Sequence, residues 1–225
     1  MHQEELFPKT PGRIGTDESG KGDYFGPLVV AGIFLPEGQE EVWRELGVRD
    51  SKKCSDSKVK ELAAIIKKGY PHAVVAIGPS RYNELYQRLR NLNRLLAWGH
   101  ARVIENILKE VPCSLVITDQ FGDALYVQQA LMKLGKRVEL IQRVRAEDDL
   151  AVAAASLLAR AEFLRRLDNL SAEVGMELPK GSSALTEKAG LELVQRYGRT
   201  ILDKVAKKHF RLTERILSLV PESPS

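Results

Sequence analysis

The sequence predicts an α/β fold: a single domain built on a five-stranded mixed sheet, flanked by helices and followed by C-terminal helices. Three observations predict it. The first half of the 225 residues is dominated by strand-like runs, and from Leu92 onward helical and strand-like segments alternate. Such alternation implies parallel strands joined by helical crossovers. No internal repeat, low-complexity tract or long linker divides the chain.

Arg13 to Asp17 reads as the first strand, and a loop rich in Gly and Pro leads to the second, Leu28 to Leu35. The second is nearly continuous in Val, Ile and Phe, the pattern of a strand covered on both faces. A polar helical stretch, Lys58 to Lys68, precedes a third strand, His72 to Ile77, which Gly78-Pro79 closes. Then come a helix from Leu92 to about Glu110, a strand Ser114 to Asp119, a helix Leu125 to Leu134, and a strand Arg137 to Val144. A long helix runs from about Glu147 to Leu167; Gly181-Ser182-Ser183 introduces another, Thr186 to Arg196, and a last one covers Phe210 to Leu219. Residues 1–12 and 220–225 read as tails around a domain of residues 13–219.

Composition narrows the function classes. The longest strongly apolar run, Pro27 to Leu35, is far shorter than the ~20 apolar residues of a spanning helix. Met1-His2-Gln3-Glu4-Glu5 lacks the basic start and apolar centre of a signal peptide, so a cytoplasmic location is expected. Cys54 and Cys113 stand alone, without a CxxC or Cys/His cluster, which argues against a disulfide framework or zinc site. The net charge is only +4, yet it is unevenly distributed. Residues 49–68, 81–102 and 196–215 carry +4, +4 and +5, which leaves the remainder acidic by nine. Basic stretches set against an acidic remainder suit a polyanionic partner, although each stretch could equally be the solvated face of a helix.

The richest segment is Gly15 to Pro27. Gly15 to Lys21 has the spacing GxxxxGK of a phosphate-binding loop, but Gly22 stands where Ser or Thr would hold magnesium, and two carboxylates occupy the loop. Gly20, Gly22 and Gly26 also miss the dinucleotide pattern GxGxxG, and a strand follows them instead of a helix. Asp17 and Glu18 offer a better account. In a regular strand they would face opposite ways, so a break at Ser19-Gly20 is needed for both to serve one site. Gly20-Lys21-Gly22 then exposes backbone polar groups and one cation, suited to close approach by a sugar-phosphate chain. Asp119 ends its strand, where ligand sites of α/β sheets form. Glu147-Asp148-Asp149 opens the long helix; acids there are favoured by the helix dipole whatever their function, so only one of the three need be functional. The small residues Ala151 to Ser156 would let that helix lie close to the sheet. Four carboxylates gathered without His or Cys call for hard cations, Mg²⁺ or Mn²⁺. In two-metal sites such ions lie ~3.5–4 Å apart and hydrolyse phosphodiesters.

At these residues the chain resembles the type 2 ribonucleases H, and within them ribonuclease HIII. The motifs are Asp17 to Leu28, Asp50-Ser51-Lys52-Lys53, Asn91-Leu92-Asn93 with Ala97-Trp98 and His100, Asp119-Gln120-Phe121, Ala151 to Arg160, Leu178-Pro179-Lys180-Gly181 and Lys208-His209-Phe210. They occur in order from about Gly12 to Glu214, and Gly20-Lys21-Gly22 with Asp23-Tyr24-Phe25 favours the HIII branch. The resemblance implies an RNase H-like fold and endonucleolytic cleavage of the RNA strand of an RNA/DNA hybrid, leaving 5′-phosphate and 3′-hydroxyl ends. It implies Asp17, Glu18 and Asp119 as catalytic metal ligands for two divalent ions, with Glu147 as the fourth acid and Asp148 as the second choice. Gly20, Lys21 and Gly22 would read 2′-hydroxyls, and Lys52, Lys53 and Lys180 would contact phosphates. Asn91, Asn93 and His209 fall in matching motifs without an evident chemical role. Ribonuclease HIII usually carries an N-terminal substrate-binding domain, for which the dozen residues before the first strand leave no room. The hybrid is the expected partner, with no obligate protein partner and a monomeric state. Incision at single ribonucleotides in DNA is the alternative within the family; a non-catalytic nucleic-acid-binding module is the alternative outside it, which the acids disfavour.

Overall fold

A computed structural model of the protein describes residues 10–49, 51–123 and 125–220. Asp50, the side chain of Lys53, and the tail residues 1–9 and 221–225 lie outside the described residues. The strands are β1 (Gly12–Ser19), β2 (Leu28–Pro36), β3 (His72–Ile77), β4 (Leu115–Asp119) and β5 (Glu139–Arg143). They form one mixed sheet in the order β3-β2-β1-β4-β5. β4 lies parallel to β1, with Ile14 opposite Val116 and Thr16 opposite Thr118, and parallel to β5, with Asp119 opposite Arg143.

The helices are α1 (Glu40–Glu45), α2 (Asp56–Gly69), α3 (Pro79–Leu89), α4 (Leu92–Glu110), α5 (Leu125–Ala130), α6 (Leu150–Val174), α7 (Ala184–Tyr197), α8 (Ile201–Val205) and α9 (Arg211–Ser218). β3 and α4 have the bounds that the periodicity predicts. Three helices were not anticipated: α1, α3 and α8. The Gly78-Pro79 pair does close β3, but Pro79 also opens α3, since a missing N–H costs nothing in a first turn.

Two elements stop or start away from their expected bounds for visible reasons. α5 ends at Ala130 instead of Leu134, because the buried Glu105 carboxylate on α4 accepts the Leu134 and Gly135 amides and turns the chain there. α6 begins at Leu150 instead of Glu147. Asp149 caps it, Oδ1 accepting from the Ala151 amide at 2.8 Å, while Oδ2 binds the Arg13 guanidinium at 2.7 Å. Glu147 and Asp148 belong to the preceding 3₁₀ turn, Ala146–Asp148.

The chain forms two compact units, whose boundaries fall inside β1, β2, β3 and α6 and at the start of α4. Among the described residues, the first comprises those up to Glu18, Val30–Val75 and Leu92–Ala161. Strand alternation organises its core. Ile14 of β1 and Val116 of β4 pack with Ala97, Ile104 and Ile107 of α4 and Val127 of α5. Ile117, one residue on, packs with Ala146 of the 3₁₀ turn and with Val152 of α6. On β1, Gly15 meets the start of α6: a Cβ at this position would lie 2.1 Å from the Ala151 carbonyl carbon. The small residues of α6 therefore do permit close approach to the sheet, and Gly15 permits it from the other side.

Among the described residues, the second unit comprises Ser19–Val29, Ala76–Asn91 and those from Glu162 onward. Within it α8 packs on α3 and α7, and α9 packs on α7. Tyr24 and Phe25 are fully buried there, and the Tyr24 hydroxyl bonds the Thr213 hydroxyl at 3.1 Å.

Candidate active site

The sheet register brings the first acids together. Thr16 and Thr118 are opposite each other on neighbouring parallel strands, so Asp17 and Asp119, one residue further along each, lie side by side toward the carboxyl ends of β1 and β4. Their parity is that of Gly15 and Ile117, the residues on the α6 face. Asp119 Oδ1 accepts from the Ala146 amide at 3.2 Å, which ties it to the 3₁₀ turn carrying Glu147. Glu147 is half-buried in that turn and Asp148 is exposed. Of the three acids expected at the helix start, Asp149 is accounted for as the cap of α6.

Glu18 faces the other way. β1 continues through Ser19, and the break comes one residue later at Gly20, whose φ of +86° favours glycine. Glu18 thus keeps the strand alternation, with Oε2 3.3 Å from Nε2 of His100 on α4. His100 is fully buried. Its Nδ1 lies 2.9 Å from the Thr16 hydroxyl and 3.3 Å from the Thr118 hydroxyl, and Phe121 stacks on its ring at 4.9 Å. One imidazole is thereby held by both central strands and presents its second nitrogen to Glu18. Sequence reasoning quoted His100 only as part of a motif; its role depends on two threonines 102 positions apart, paired by the register.

The electrostatics mark these residues as a group. Burial first, then the charge of Glu18 and, more weakly, that of Asp119, push the Asp17 carboxyl well above the usual carboxylate range. The Glu18 amide, 2.8 Å from Asp17 Oδ1, and the exposed Lys52 ammonium draw it down. The cluster is not a formed metal site: among the described residues no three His, Cys, Asp or Glu side chains are grouped as they would be around a metal ion. Its donors are nonetheless hard oxygens that repel one another, a set that a hard divalent cation would neutralise.

Of the remaining expected site residues, Lys52 and Lys53 belong to the first unit, and Gly20, Lys21, Gly22 and Lys180 to the second. Gly20 is buried, while Lys21 and Gly22 are exposed at the tip of the loop between β1 and β2. Asp23 Oδ1 accepts from the Gly181 amide at 2.6 Å, and the Tyr24 amide donates to the Gly181 carbonyl at 2.9 Å. Two motifs distant in sequence therefore meet, through Asp23 and Tyr24 just after Gly20-Lys21-Gly22 and through Gly181 of Leu178-Pro179-Lys180-Gly181. Lys180 is exposed beside that junction. His209 joins an aromatic cluster, 4.5 Å from Tyr86 and from Phe210; burial and the charge of Lys207 lower its pKa to about 4, which fits a neutral packing residue. Asn93 packs against Gly122.

The family model described as Ribonuclease HII matches residues 14–213. The chain belongs to the ribonuclease HII family. Relatives of the HIII branch are similar along nearly all of it. Ribonuclease HIII of Protochlamydia amoebophila (strain UWE25) is 49% identical over 219 residues, which cover 97% of this chain and 72% of the relative. Ribonuclease HIII of Chlamydia pneumoniae is 41% identical over 211 residues, covering 92% of this chain and 70% of the relative. Among solved structures, Bst-RNase HIII in complex with Mn²⁺ matches with a TM-score of 0.85 at 30% identity, over 94% of this chain and 70% of that one. The ribonuclease H2 from Pyrococcus horikoshii OT3, 22% identical with a TM-score of 0.77 over 92% of this chain and 98% of that one, shares the fold. The chain is thus a ribonuclease H hydrolase, with the mixed sheet and flanking helices of ribonucleases HII and HIII.

Proposed function

We propose that the protein cuts the RNA strand of RNA/DNA hybrids endonucleolytically, using two divalent ions, Mg²⁺ or Mn²⁺, and leaving 5′-phosphate and 3′-hydroxyl ends. The observation that carries this reading is the placing of Asp17 and Asp119 side by side by the register of β1 and β4, with Glu18 next to them on β1; burial first, and then the neighbouring carboxylates, push the Asp17 carboxyl up. The Mn²⁺ bound by Bst-RNase HIII supports the metal requirement.

Asp17, Glu18, Asp119 and Glu147 would hold the ions. When bound, such ions supply an activated water and stabilise the leaving oxygen of the phosphodiester. The chain's own residues orient the ligands: His100 fixes the Glu18 carboxylate, and the Ala146 amide fixes that of Asp119. Glu147 is favoured over Asp148 because it is the less exposed and follows Ala146 directly.

Gly20, Lys21 and Gly22 would meet the ribose side of the RNA strand, where 2′-hydroxyls distinguish RNA from DNA. Lys52, Lys53 and Lys180 would contact phosphates, and such contacts make affinity fall with salt. The protein would act as a monomer in the cytoplasm. Among the described residues no helix is long and apolar enough to cross a membrane.

Cleavage of a long RNA/DNA hybrid beside a DNA duplex with one embedded ribonucleotide, in Mg²⁺ and in Mn²⁺, tests the reading. The hybrid should be cut faster in at least one metal. Faster incision of the single-ribonucleotide duplex in both would replace hybrid cleavage with the HII-like specificity.

A further inference from the structure

Lys207 is fully buried, although it belongs to a stretch whose net charge suggests a solvated surface. Its ammonium donates to three consecutive carbonyls of the β1–β2 loop: Gly26 at 2.7 Å, Phe25 at 3.3 Å and Pro27 at 3.4 Å. Its backbone binds the same segment. The Lys207 amide donates to the Tyr24 carbonyl at 2.8 Å, the Gly26 amide donates to the Val205 carbonyl at 3.0 Å, and Phe25 pairs with Ala206 in an antiparallel bridge.

A buried cation is a poor way to stabilise a fold. Desolvation opposes it, and an apolar side chain of similar volume is often neutral or better. Burial pushes the Lys207 pKa down to about 7, against the pull of Asp23. What the ammonium supplies and a methionine could not is directional: three N–H donors for three carbonyls gathered within 3.4 Å of one nitrogen. Those carbonyls close the base of the loop whose exposed tip is Lys21-Gly22, while Asp23 anchors the opposite side to Gly181.

We propose that Lys207 is a positioning residue for substrate: by fixing the carbonyls of residues 25–27 it holds the Gly20-Lys21-Gly22 backbone in the shape that grips the RNA strand. This rests on the reading of that loop as a hybrid contact.

Steady-state cleavage of a hybrid at pH 6 by the 225-residue chain and its Lys207→Met and Lys207→Arg variants tests it, together with hydrogen exchange. In Lys207→Met the KM should rise about tenfold while kcat changes less than about threefold, and amides 20–28 should exchange faster with those of β4 unchanged. Lys207→Arg, which keeps a cation and donors, should recover most of the KM. A folded Lys207→Met with wild-type KM and unchanged loop exchange would overturn the proposal, as would an apparent kcat that merely follows the folded fraction. If the Met variant does not fold, wild-type exchange decides, with a hybrid held uncleaved in Ca²⁺. Joint protection of amides 20–28 and 205–208 is expected. Protection of the loop tip alone would remove Lys207 from the binding machinery; protection of neither would overturn the loop reading itself.

Discussion

His100 illustrates how much one buried side chain can organise. Its ring spans β1 and β4 through Thr16 and Thr118 and leaves Nε2 for Glu18. Residues that orient a metal ligand typically matter by 10–100-fold. His100→Ala, scored per folded molecule, should therefore lower kcat by about 10–100-fold in a steady-state cleavage assay; an undiminished kcat would leave Glu18 without need of its partner. A second residue-scale expectation concerns pH. The Arg165 guanidinium first, with Arg166, holds the Glu162 carboxyl at about 2 against its burial, below the ordinary 4.5. A depressed carboxylate stabilises the fold fully above its ordinary pKa and ceases to do so as pH falls toward the folded value. Both arginines are half exposed, so Glu162→Gln should lower the Tm by only about 1–3 °C at pH 7. In paired melting curves this gap should narrow below pH 4.5 and close near pH 2; a gap independent of pH would remove the ion pairs as its cause.

Among elements, the meeting of β1 with α6 is the tightest constraint. Adding one methyl group at Gly15 would drive it into the backbone of Ala151 and Val152. Overpacking against backbone is costly because no side chain can turn away, so Gly15→Ala should destabilise by about 3 kcal/mol or more in urea unfolding. A loss under about 1 kcal/mol would mean that the contact relaxes cheaply. Elements whose limits are set by their own residues were legible in the sequence. β3 is bounded by Pro71 and Gly78, and α4 follows the period of its apolar face. Elements whose limits are set from elsewhere were not. Glu105, on α4, ends α5, and Asp149, held by Arg13 of β1, postpones α6 to Leu150. α3 was hidden because Gly-Pro reads as a stop for the strand before it and gives little notice of the helix it starts.

For the whole molecule, the site was legible to the extent that it follows from strand ends. Asp119 closes the apolar strand β4 and Asp17 lies toward the end of β1, and the register adds their adjacency, which no local pattern could supply. The placement of Glu18 on the opposite face, the threonine pair behind His100, and the interior position of Lys207 all depend on contacts across more than 80 positions. Charge was legible only in bulk: the uneven +4 points to a polyanion, yet a lysine in the third basic stretch serves the interior. The proposed hybrid endonuclease stands on its acids, above all on Asp119, which β4 aligns beside Asp17 and the Ala146 amide holds. Cleavage and binding of one labelled RNA/DNA hybrid by Asp119→Asn, beside the wild-type chain in Mn²⁺, therefore tests it most directly. Removing the negative charge should cut the cleavage rate by about 10³-fold or more while hybrid affinity stays within about threefold. A variant that cleaves at the wild-type rate would contradict the assignment of the metal site to these strand ends.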